Sequence, residues 1–350
     1  MEHKKIRVGI THGDTNGIGY EVIFKAFEDP MMLELCTPII YGSPKVAAYH
    51  GNVLKQETQF CIVSRSESIK EDKVNLVTVT EDEIKVEIGH RTPESANAAD
   101  MAMRRALSDY EQGMFDVLVC GPDEAGESDQ QGLTLLMSED LNIAFVTNKL
   151  AIKEVSEAIT KPIVVSKATT LHQTLKRDLR ISNPRIAVLA LNPKGSNNDE
   201  ETSILVPAIE ELSSQGIQAF GPYQADDFFS TNAYLRFDAV LAMYYDQGMV
   251  PFKSISADCG FKFTAGLPLV KTTPIHDACF DIAGKGVADA TQMRHAIWQA
   301  IDIWRNRMEY DAPMEHPLPK LYHEKRDESE KVRFAVPKGK DLPRRGEKQP

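Results

Sequence analysis

Lysine is the residue that the sequence places where two of three apolar, strand-like runs end. LNIAFVT runs into Lys149, RIAVLALN runs into Lys194, and FDAVLAM leads to two tyrosines and then Asp246. In open α/β sheets ligands bind outside the carboxyl ends of the strands. Lysines at such ends can form a pocket for phosphate or carboxylate. Solvated surface lysines are the more common interpretation of the same pattern, so both interpretations stay open.

A glycine-containing segment offers a second possible anion site. ITHGDTNGIGYE, residues 10–21, places three glycines between a strand and a helix, where backbone amides could bind an anion at the helix N-terminus. The segment is not the G-x-G-x-x-G fingerprint, and glycines are common in strand-to-helix turns. The segment is therefore equally compatible with an anion site and with a purely structural turn.

The segment HDACFDIAGKG, residues 276–286, is more informative. It combines a histidine, two acids and a G-K-G turn, which is more than a simple loop needs and is typical of a nucleotide loop. None of the nine histidines in the chain pairs at H-x-x-x-H spacing, and none stands at the three strand ends. By spacing alone, the sequence indicates no metal site.

The elements that must position these residues follow a regular order. Short β-rich runs alternate with helical patterns, which predicts parallel strands and an α/β fold. ATQMRHAIWQAIDIWRNRM has apolar residues at helical spacing, which indicates a packing face. After Tyr310 the sequence becomes proline-rich and charged, which is typical of a tail.

Composition narrows the class of protein. A chain of 350 residues with 42% hydrophobic residues can bury the core of one large domain or two joined ones. The five cysteines lack C-x-x-C pairing, and no secretory or membrane-spanning apolar run occurs, so we expect a cytoplasmic protein without membrane contact. The net charge of the chain is −11. Residues 317–350 hold ten basic and six acidic residues, a net charge of +4, so the rest of the chain has a net charge of −15. This acidity argues against a nucleic-acid surface.

Together the motifs resemble one family, the 4-hydroxythreonine-4-phosphate dehydrogenases of pyridoxal phosphate (vitamin B6) biosynthesis, from about Lys5 to Met308. The matching segments are ITHGDTNGIGYE, ITKPIVVSK, IAVLALNP, FGPYQADDFF, LAMYYDQG, FTAGLPLVKTTPIHDA and DIAGKG.

The resemblance implies an isocitrate/isopropylmalate dehydrogenase-like fold, with two α/β domains and a cleft between them. The expected domains are residues 1–125 plus 270–310 and residues 126–269, followed by a tail at 311–350. The resemblance also implies a homodimer whose sites draw on both subunits. Family members oxidise a secondary alcohol with NAD while a divalent metal stabilises the alkoxide, and decarboxylation follows.

The chain departs from the family at the implied metal site. Three family histidines, in V-T-x-H, L-N-P-H and Y-H-D-Q-G, fall on Lys149, Lys194 and Tyr245. An ammonium has no free lone pair and repels a cation, and a neutral phenol is a poor replacement for imidazole. We therefore predict no bound catalytic metal. We also expect Asp246 to pair with Lys149 or Lys194, within one chain or across the dimer.

The implied substrate site departs as well. The family segment containing P-G-H-T-E is missing, and acids occupy its place: Asp123, Glu124, Glu127 and Asp129. The family's substrate-binding K, N and R fall on Lys253, Lys262 and Lys271, so anion binding remains possible with altered selectivity.

In the implied NAD loop the chain keeps His276, Asp281, Gly284, Lys285 and Gly286. A family glycine, however, is replaced by an aspartate at position 277, which adds a charged side chain where the cofactor approaches closely. NAD is therefore a possible cofactor rather than an assured one.

Three functional hypotheses follow. The first hypothesis is a diverged or inactive family member that binds an anionic small molecule. It could instead be a working NAD-dependent dehydrogenase of a phosphorylated hydroxy amino acid or sugar acid. In that case Lys149 and Lys194 would replace the charge of the metal, one of them serving as general base, and would pair with Asp226 and Asp246. A third hypothesis, a structural or regulatory partner, rests on the basic proline-rich tail of an acidic protein.

Overall fold

The computed structural model describes residues 5–56, 60–63, 68–122, 132–194, 200–256 and 260–315. Their strands are β1 (Ile6–Thr11), β2 (Cys36–Gly42), β3 (Cys61–Val63), β4 (Asn75–Thr78), β5 (Val117–Cys120), β6 (Leu133–Met137), β7 (Asn142–Phe145), β8 (Arg185–Leu189), β9 (Gln218–Tyr223), β10 (Ala239–Ala242), β11 (Phe261–Ala265) and β12 (Val270–Pro274). Their α-helices are α1 (Gly19–Ala26), α2 (Pro30–Leu35), α3 (Pro44–Leu54), α4 (Pro93–Glu111), α5 (Ile152–Ala158), α6 (Lys161–Arg177), α7 (Val206–Ser214), α8 (Ala225–Ser230), α9 (Tyr245–Ile255) and α10 (Thr291–Glu315).

The local sequence explains where several helices begin. The Thr92 hydroxyl accepts a hydrogen bond from the Ser95 N–H, and the Ser95 hydroxyl accepts one from the Thr92 N–H, which forms a capping box before α4. Asp29 caps α2 by accepting from the Met31 N–H, and a proline takes the first helical position. A π-helical segment, Glu201–Leu205, leads into α7.

The strands form one mixed sheet in the order β3-β4-β2-β1-β5-β12-β11-β6-β7-β10-β8-β9. The predicted parallel pairing is confirmed for β1 with β2 and β5 and for β10 with β7 and β8. In the middle of the sheet, however, β12, β11, β6 and β7 pair in antiparallel fashion. Because three successive pairings reverse direction, β7, β10, β8 and β9 run opposite to β1, β2, β5 and β12.

The strands on the two sides of the pairing of β11 with β12 come from different parts of the sequence. The strands from β3 to β12 come from residues 6–120 and 270–274, and those from β11 to β9 come from residues 133–265. The division into two domains, residues 1–125 plus 270–310 and residues 126–269, stays a prediction.

The two faces of the sheet are packed differently. One face carries a continuous core with α1, α6, α7 and α10. The opposite face carries two separate cores, one with α4 around Leu118 and one with α8 and α9 around Ile143 and Phe145. β11, β12 and β6 lie between those two cores. Every second side chain of these strands points away from the continuous core, toward the opposite face.

Two elements differ from the sequence predictions. YYDQG, which looks like a turn in the sequence, is the start of α9, with Tyr244 as N-cap and Asp246 in the first turn. An acid there is favoured by the helix dipole. α10 continues to Glu315, five residues into the predicted tail, because Asp311 pairs with Arg177 of α6. No helix among the described residues is long and apolar enough to cross a membrane.

Candidate functional site

The four side chains predicted as catalytic follow four neighbouring parallel strands. Lys149 follows β7, Asp246 follows β10, and Lys194 follows β8. Asp226 follows β9, which lies two strands beyond β10. Because adjacent strands are about 4.8 Å apart, the ends of β7 and β10 meet, whereas Asp226 lies farther along the edge. The structure therefore brings Lys149 and Asp246 together most closely.

A pocket of about 220 Å³ opens at the ends of β7 and β10. Its walls are Thr147, Lys149, Leu150, Ala151, Ile152, Val155, Tyr244, Tyr245 and Asp246. Lys149 has a left-handed backbone, with φ of 50°. The pocket thus combines one ammonium group, one carboxylate, two phenols and an aliphatic wall.

Gln247 fixes the start of α9 against the strand ends. Its Oε1 accepts from the Met243 N–H at 2.7 Å, and its Nε2 donates to the Ala190 carbonyl at 2.6 Å. The Thr147 hydroxyl donates to the Met243 carbonyl at 2.7 Å. The ends of β7, β10 and β8 are therefore joined by side-chain hydrogen bonds, which position Tyr245.

Two carboxylates that the sequence analysis missed, Glu200 and Glu201, bind Asn192, which lies two residues before Lys194. The Asn192 N–H donates to Glu201 Oε1 at 2.8 Å, and its side-chain amide lies 3.3 Å from Glu200 Oε2. The Ser156 hydroxyl donates to Glu200, and this bond is the main cause of the lowered pKa of Glu200. Lys194 itself is exposed. This part of the edge is therefore zwitterionic rather than purely basic.

Tyr245 is a neutral aromatic wall of the pocket. Its ring stacks on Phe145 with 5.6 Å between centroids and 28° between planes. Burial raises the pKa of its phenol, and the carboxylates of Asp277 and Asp246 raise that pKa further. Tyr245 is therefore a protonated phenol at neutral pH.

The metal implied by the resemblance does not fit the side chains at these positions. Lys149 and Lys194 offer ammonium groups, and the raised pKa of Tyr245 keeps its oxygen protonated. Asp246 is the single carboxylate in the pocket wall. The described residues contain no group of three His, Cys, Asp or Glu side chains placed to hold a metal ion.

The ion pair expected for Asp246 is absent from the described residues of a single chain. Neither Lys149 nor Lys194 lies within ion-pair distance of its carboxylate there, although Lys149 shares its pocket. Asp246 is exposed in the first turn of α9. A pair with a lysine of the partner subunit stays a prediction.

Two of the predicted substrate residues belong to a polar stripe, which we define as Lys262, Thr264, Lys271, Thr273 and Thr134. Lys262 stands opposite Thr273 in the pairing of β11 with β12, and Thr264 stands opposite Thr134 in the pairing of β11 with β6. Since side chains alternate along a strand, all five lie on the same face. The stripe fills the gap between the two smaller cores.

The polar stripe is continuous with the strand-end pocket. The side-chain amide of Asn148 donates to the Thr134 hydroxyl at 3.2 Å, and Asn148 precedes Lys149. Lys271 is buried, with 8% of its surface exposed. The threonines were missed in the sequence, although K-x-T in FKFTA and VKTTP carries the two-residue period that would have placed them beside the lysines.

Lys253, the third predicted substrate residue, lies in a different pocket. About 480 Å³ in volume, this pocket is lined by Lys253, His276, Asp277, Cys279, Phe280 and Asp281. Lys253 is eight residues after Tyr245 on α9, so it faces the predicted nucleotide loop. The structure therefore joins Lys253 to the predicted cofactor residues His276 and Asp281.

His276 gives this second pocket the chemistry to fit NAD. Its Nε2 is buried and has no hydrogen-bond partner among the described residues, while Nδ1 lies 3.3 Å from the Asp277 carbonyl. Burial lowers the pKa of the ring, so the ring is neutral and Nε2 can accept when Nδ1 donates. An acceptor of this kind and the exposed Asp281 carboxylate match the hydroxyls of a ribose.

α1 fixes the end of the nucleotide loop. Glu21 Oε1 accepts from the Ala288 N–H at 2.8 Å and from the Lys25 ammonium at 2.9 Å. Lys25 also donates to the Gly286 carbonyl at 2.8 Å. Gly284 and Gly286 both have φ of 73°, a conformation that favours glycine. The G-K-G turn is therefore shaped by its glycines and held by a partly buried ion pair.

The glycine segment after β1 has a structural role. The Asp14 N–H donates to the Pro122 carbonyl at 3.1 Å, and the Ile18 N–H donates to the Ala278 carbonyl at 3.0 Å. A Cβ on Gly13 would lie 2.0 Å from the Pro122 oxygen. Because these amides bind other backbone segments, the segment joins the end of β5 to the nucleotide loop. The predicted acidic substitutions at Asp123, Glu124, Glu127 and Asp129 lie outside the described residues.

Comparisons with known proteins agree on one family. The profile described as pyridoxal phosphate biosynthetic protein PdxA matches residues 123–300. The chain is 43% identical to a 4-hydroxythreonine-4-phosphate dehydrogenase from Bacteroides thetaiotaomicron, over 95% of this chain and 98% of that protein. It is 30% identical to a protein of the same name from Prosthecochloris aestuarii, over 87% of this chain and 98% of that protein.

Solved structures share the fold. The 4-hydroxythreonine-4-phosphate dehydrogenase of Burkholderia phymatum matches with a TM-score of 0.68 and 25% identity, over 86% of this chain and 99% of that chain. The enzyme of the same name from Klebsiella pneumoniae matches with a TM-score of 0.71 and 22% identity, over 87% of this chain and 99% of that chain.

Proposed function

The chain belongs to the 4-hydroxythreonine-4-phosphate dehydrogenase family, PdxA, and we propose that it has diverged within that family into a protein that binds an anionic small molecule without a catalytic metal. One observation carries the proposal. Lys149, Tyr245 and Asp246 line a single pocket at the ends of β7 and β10, at positions where the resemblance implies metal chemistry. An ammonium group there attracts an anion and repels a divalent cation.

The polar stripe supports the same ligand class. Lys262 and Lys271 lie on the face that continues from the pocket through the contact of Asn148 with Thr134. A molecule with two anionic groups could place one near Lys149 and the other on the stripe. Lysine binds phosphate and carboxylate alike as a point charge, so the proposal names the charge of the ligand and not its identity.

Isothermal titration calorimetry with inorganic phosphate tests this proposal. Replacing Lys149 and Lys194 with alanine should weaken phosphate binding at least tenfold, because each charge-assisted contact contributes about 1.5–3 kcal/mol. The matched control replaces the exposed Lys45 and Lys153, which changes the net charge equally. Equal weakening by both double variants, or no binding of phosphate to the natural chain, would refute the proposal.

NAD is part of the proposal as a second ligand, held by His276, Asp281 and the G-K-G turn. NAD would supply a hydride acceptor, and the residues of this chain would bind and orient it. His276 Nε2, which is buried and has no partner among the described residues, supports this assignment. In a calorimetric titration with NAD, His276→Ala should bind more weakly than the natural chain, whereas His295→Ala on α10 should bind equally. Equal affinities for all three proteins would contradict the assignment.

The alternative is an active dehydrogenase in which lysine replaces the charge of the metal. Lys149 and Asp246 share one pocket wall, which favours this alternative because an acid and a base lie near one another. Formation of NADH from 4-phosphohydroxythreonine distinguishes the two functions. The alternative predicts turnover that a chelator does not change, and the anion-binding proposal predicts none.

We also propose a homodimer, with a cytoplasmic location. Two apolar side chains that line the strand-end pocket are exposed, Leu150 to 43% and Ile152 to 77%. Val250, four residues after Asp246 on α9, is 63% exposed. Contact with a second chain would bury them. No disulfide joins the described cysteines Cys36, Cys61, Cys120 and Cys279 to one another, which is consistent with a reducing compartment.

A further inference from the structure

Adjacent threonines on β12 have opposite hydrogen-bonding states. The Thr272 hydroxyl donates to the Ala296 carbonyl of α10 at 2.8 Å, on the face with the continuous core. Thr273 points to the other face, and its buried Oγ1 has no hydrogen-bond partner within the part of the chain that the structure describes. A buried hydroxyl that is left unpaired is costly, and such groups in native structures call for a water, an ion or a ligand.

The surroundings of Thr273 indicate what would pair with its hydroxyl. Lys262 stands directly opposite Thr273 in the pairing of β11 with β12, and Lys271 lies two residues earlier on the same face. Directly paired residues have Cβ atoms about 5 Å apart. The Thr273 hydroxyl therefore lies on the same face as two neighbouring lysines of the polar stripe, whose positive charge attracts an anion.

We propose that Thr273 is a ligand-binding residue that donates a hydrogen bond from Oγ1 to an oxyanion held by Lys262 and Lys271. This inference rests on the proposed anion-binding function and adds a residue that determines orientation. Ammonium groups on flexible stems attract an oxyanion without fixing its direction. A hydroxyl on a central strand has a restricted rotamer, so it fixes one oxygen of a phosphate or carboxylate group.

The matched pair Thr273→Val and Thr272→Val tests the proposal, since valine keeps the shape of threonine and removes the hydroxyl. The probe is inorganic phosphate, titrated calorimetrically into the full chain, and thermal unfolding is measured without phosphate. Thr273→Val should bind phosphate about tenfold more weakly, yet unfold at an equal or higher temperature because it removes an unpaired buried hydroxyl. Thr272→Val should unfold at a lower temperature and bind phosphate within about twofold of the natural chain, since its hydroxyl serves packing alone.

Each other outcome overturns the assignment. Unchanged phosphate affinity in Thr273→Val would mean that water, and not the ligand, pairs with the hydroxyl. A fall in unfolding temperature equal to that of Thr272→Val would mean that the hydroxyl is bonded within the protein. If phosphate binding is lost in the Lys149 and Lys194 double variant but unchanged in Thr273→Val, the proposed function stands and the Thr273 assignment fails. If the natural chain binds no phosphate, both fail.

Discussion

Three side chains at the ends of β7, β8 and β10 determine what the strand-end site can bind. Lys149 and Lys194 are cations, and the pKa of Tyr245 is raised by burial and by nearby carboxylates. The backbone that carries them is well fixed, since Gln247 and Thr147 join the strand ends. The side chains therefore determine what the site binds, while the backbone only positions them. Substituting these side chains should be enough to change the ligand.

Returning histidine to these positions tests that expectation. The triple variant Lys149→His, Lys194→His and Tyr245→His should bind Zn²⁺ at least tenfold more tightly than the natural chain, because neutral imidazole is a preferred zinc ligand. The matched control introduces histidine at Tyr49, Lys70 and Lys153, which are exposed, lie far apart from one another in the sequence and do not line the pocket. Calorimetry measures the affinities. Equal affinity of the natural chain and the triple variant would contradict the account.

At the residue scale, the sequence predicts which side chains lie at strand ends better than it predicts their hydrogen-bond partners. Lys149 and Asp246 were correctly expected at strand ends because apolar runs followed by polar residues mark those ends. The two-residue period of VKTTP puts Thr273 on the face of Lys271, but no pattern shows which threonine hydroxyl is bonded. The structure shows that Thr272 bonds α10, whereas the buried Thr273 hydroxyl has no partner among the described residues.

At the scale of elements, a buried ion pair joins α6 to α10. Arg307 donates to both carboxylate oxygens of Asp178, at 2.7 and 3.1 Å, and also to the Pro268 carbonyl at 2.8 Å. Arg307 is 5% exposed and Asp178 is 2% exposed. The pair therefore fixes the turn between β11 and β12, and with it the register of the polar stripe.

Replacing Asp178 with asparagine should lower the free energy of unfolding by about 3–5 kcal/mol, because Arg307 would keep an uncompensated buried charge. The control pair, Arg180 with Glu309, joins the same two helices but is exposed. Glu309→Gln should therefore cost at most about 1 kcal/mol. Urea unfolding measures both changes. Similar losses in the two variants would show that burial does not set the strength of the pair.

Three stacked rings join β1, α1 and α3. Tyr20 lies between His12 and His50, with centroid distances of 5.2 and 5.0 Å. His50 is buried and its Nε2 lies 2.8 Å from the Thr15 carbonyl. Burial lowers the pKa of His50 below its ordinary value of 6.5. The unfolded chain therefore binds a proton at this residue more readily than the folded chain does.

Linkage gives the direction of the resulting pH dependence. The contribution of neutral His50 to stability is complete above about pH 6.5 and is lost as the pH falls below that value. His50→Gln should reduce the slope of unfolding free energy against pH in this range, by up to about 1.4 kcal/mol per pH unit. Denaturant unfolding between pH 5 and pH 7 measures the slopes, and identical slopes in the natural chain and in His50→Gln would refute the assignment.

At the scale of the whole molecule, the expected homodimer depends on the apolar rim of the strand-end pocket. Ile152→Lys places a charge at a side chain that is 77% exposed, so it should shift the protein toward a monomer by desolvation cost. Leu235→Lys, at a side chain that is 65% exposed, should not change the mass. Light scattering after size-exclusion chromatography measures both. A monomeric natural chain, or equal effects of the two substitutions, would contradict the predicted interface.

The sequence predicted the α/β class and most strands, but not the reversal in the middle of the sheet. Alternating strands and helices favour parallel pairing, whereas β6 with β7 and β11 with β12 form two antiparallel hairpins. The pairing of β11 with β6, which joins the two hairpins, is long-range, and no local pattern encodes it. Because of this reversal, β7, which leads to Lys149, and β12, which leads to His276, run in opposite directions. α9 connects the two regions, with Tyr245 at its start and Lys253 near its end.

The central claim concerns what occupies the space beside Lys149, Tyr245 and Asp246. The most direct measurement is anomalous diffraction at the zinc edge from crystals grown with Zn²⁺ and phosphate. The account predicts no zinc peak at the ends of β7, β8 and β10, and electron density for a phosphate beside Lys149. A zinc peak within about 2.3 Å of a side-chain atom at these strand ends, the distance of direct zinc coordination, would contradict it.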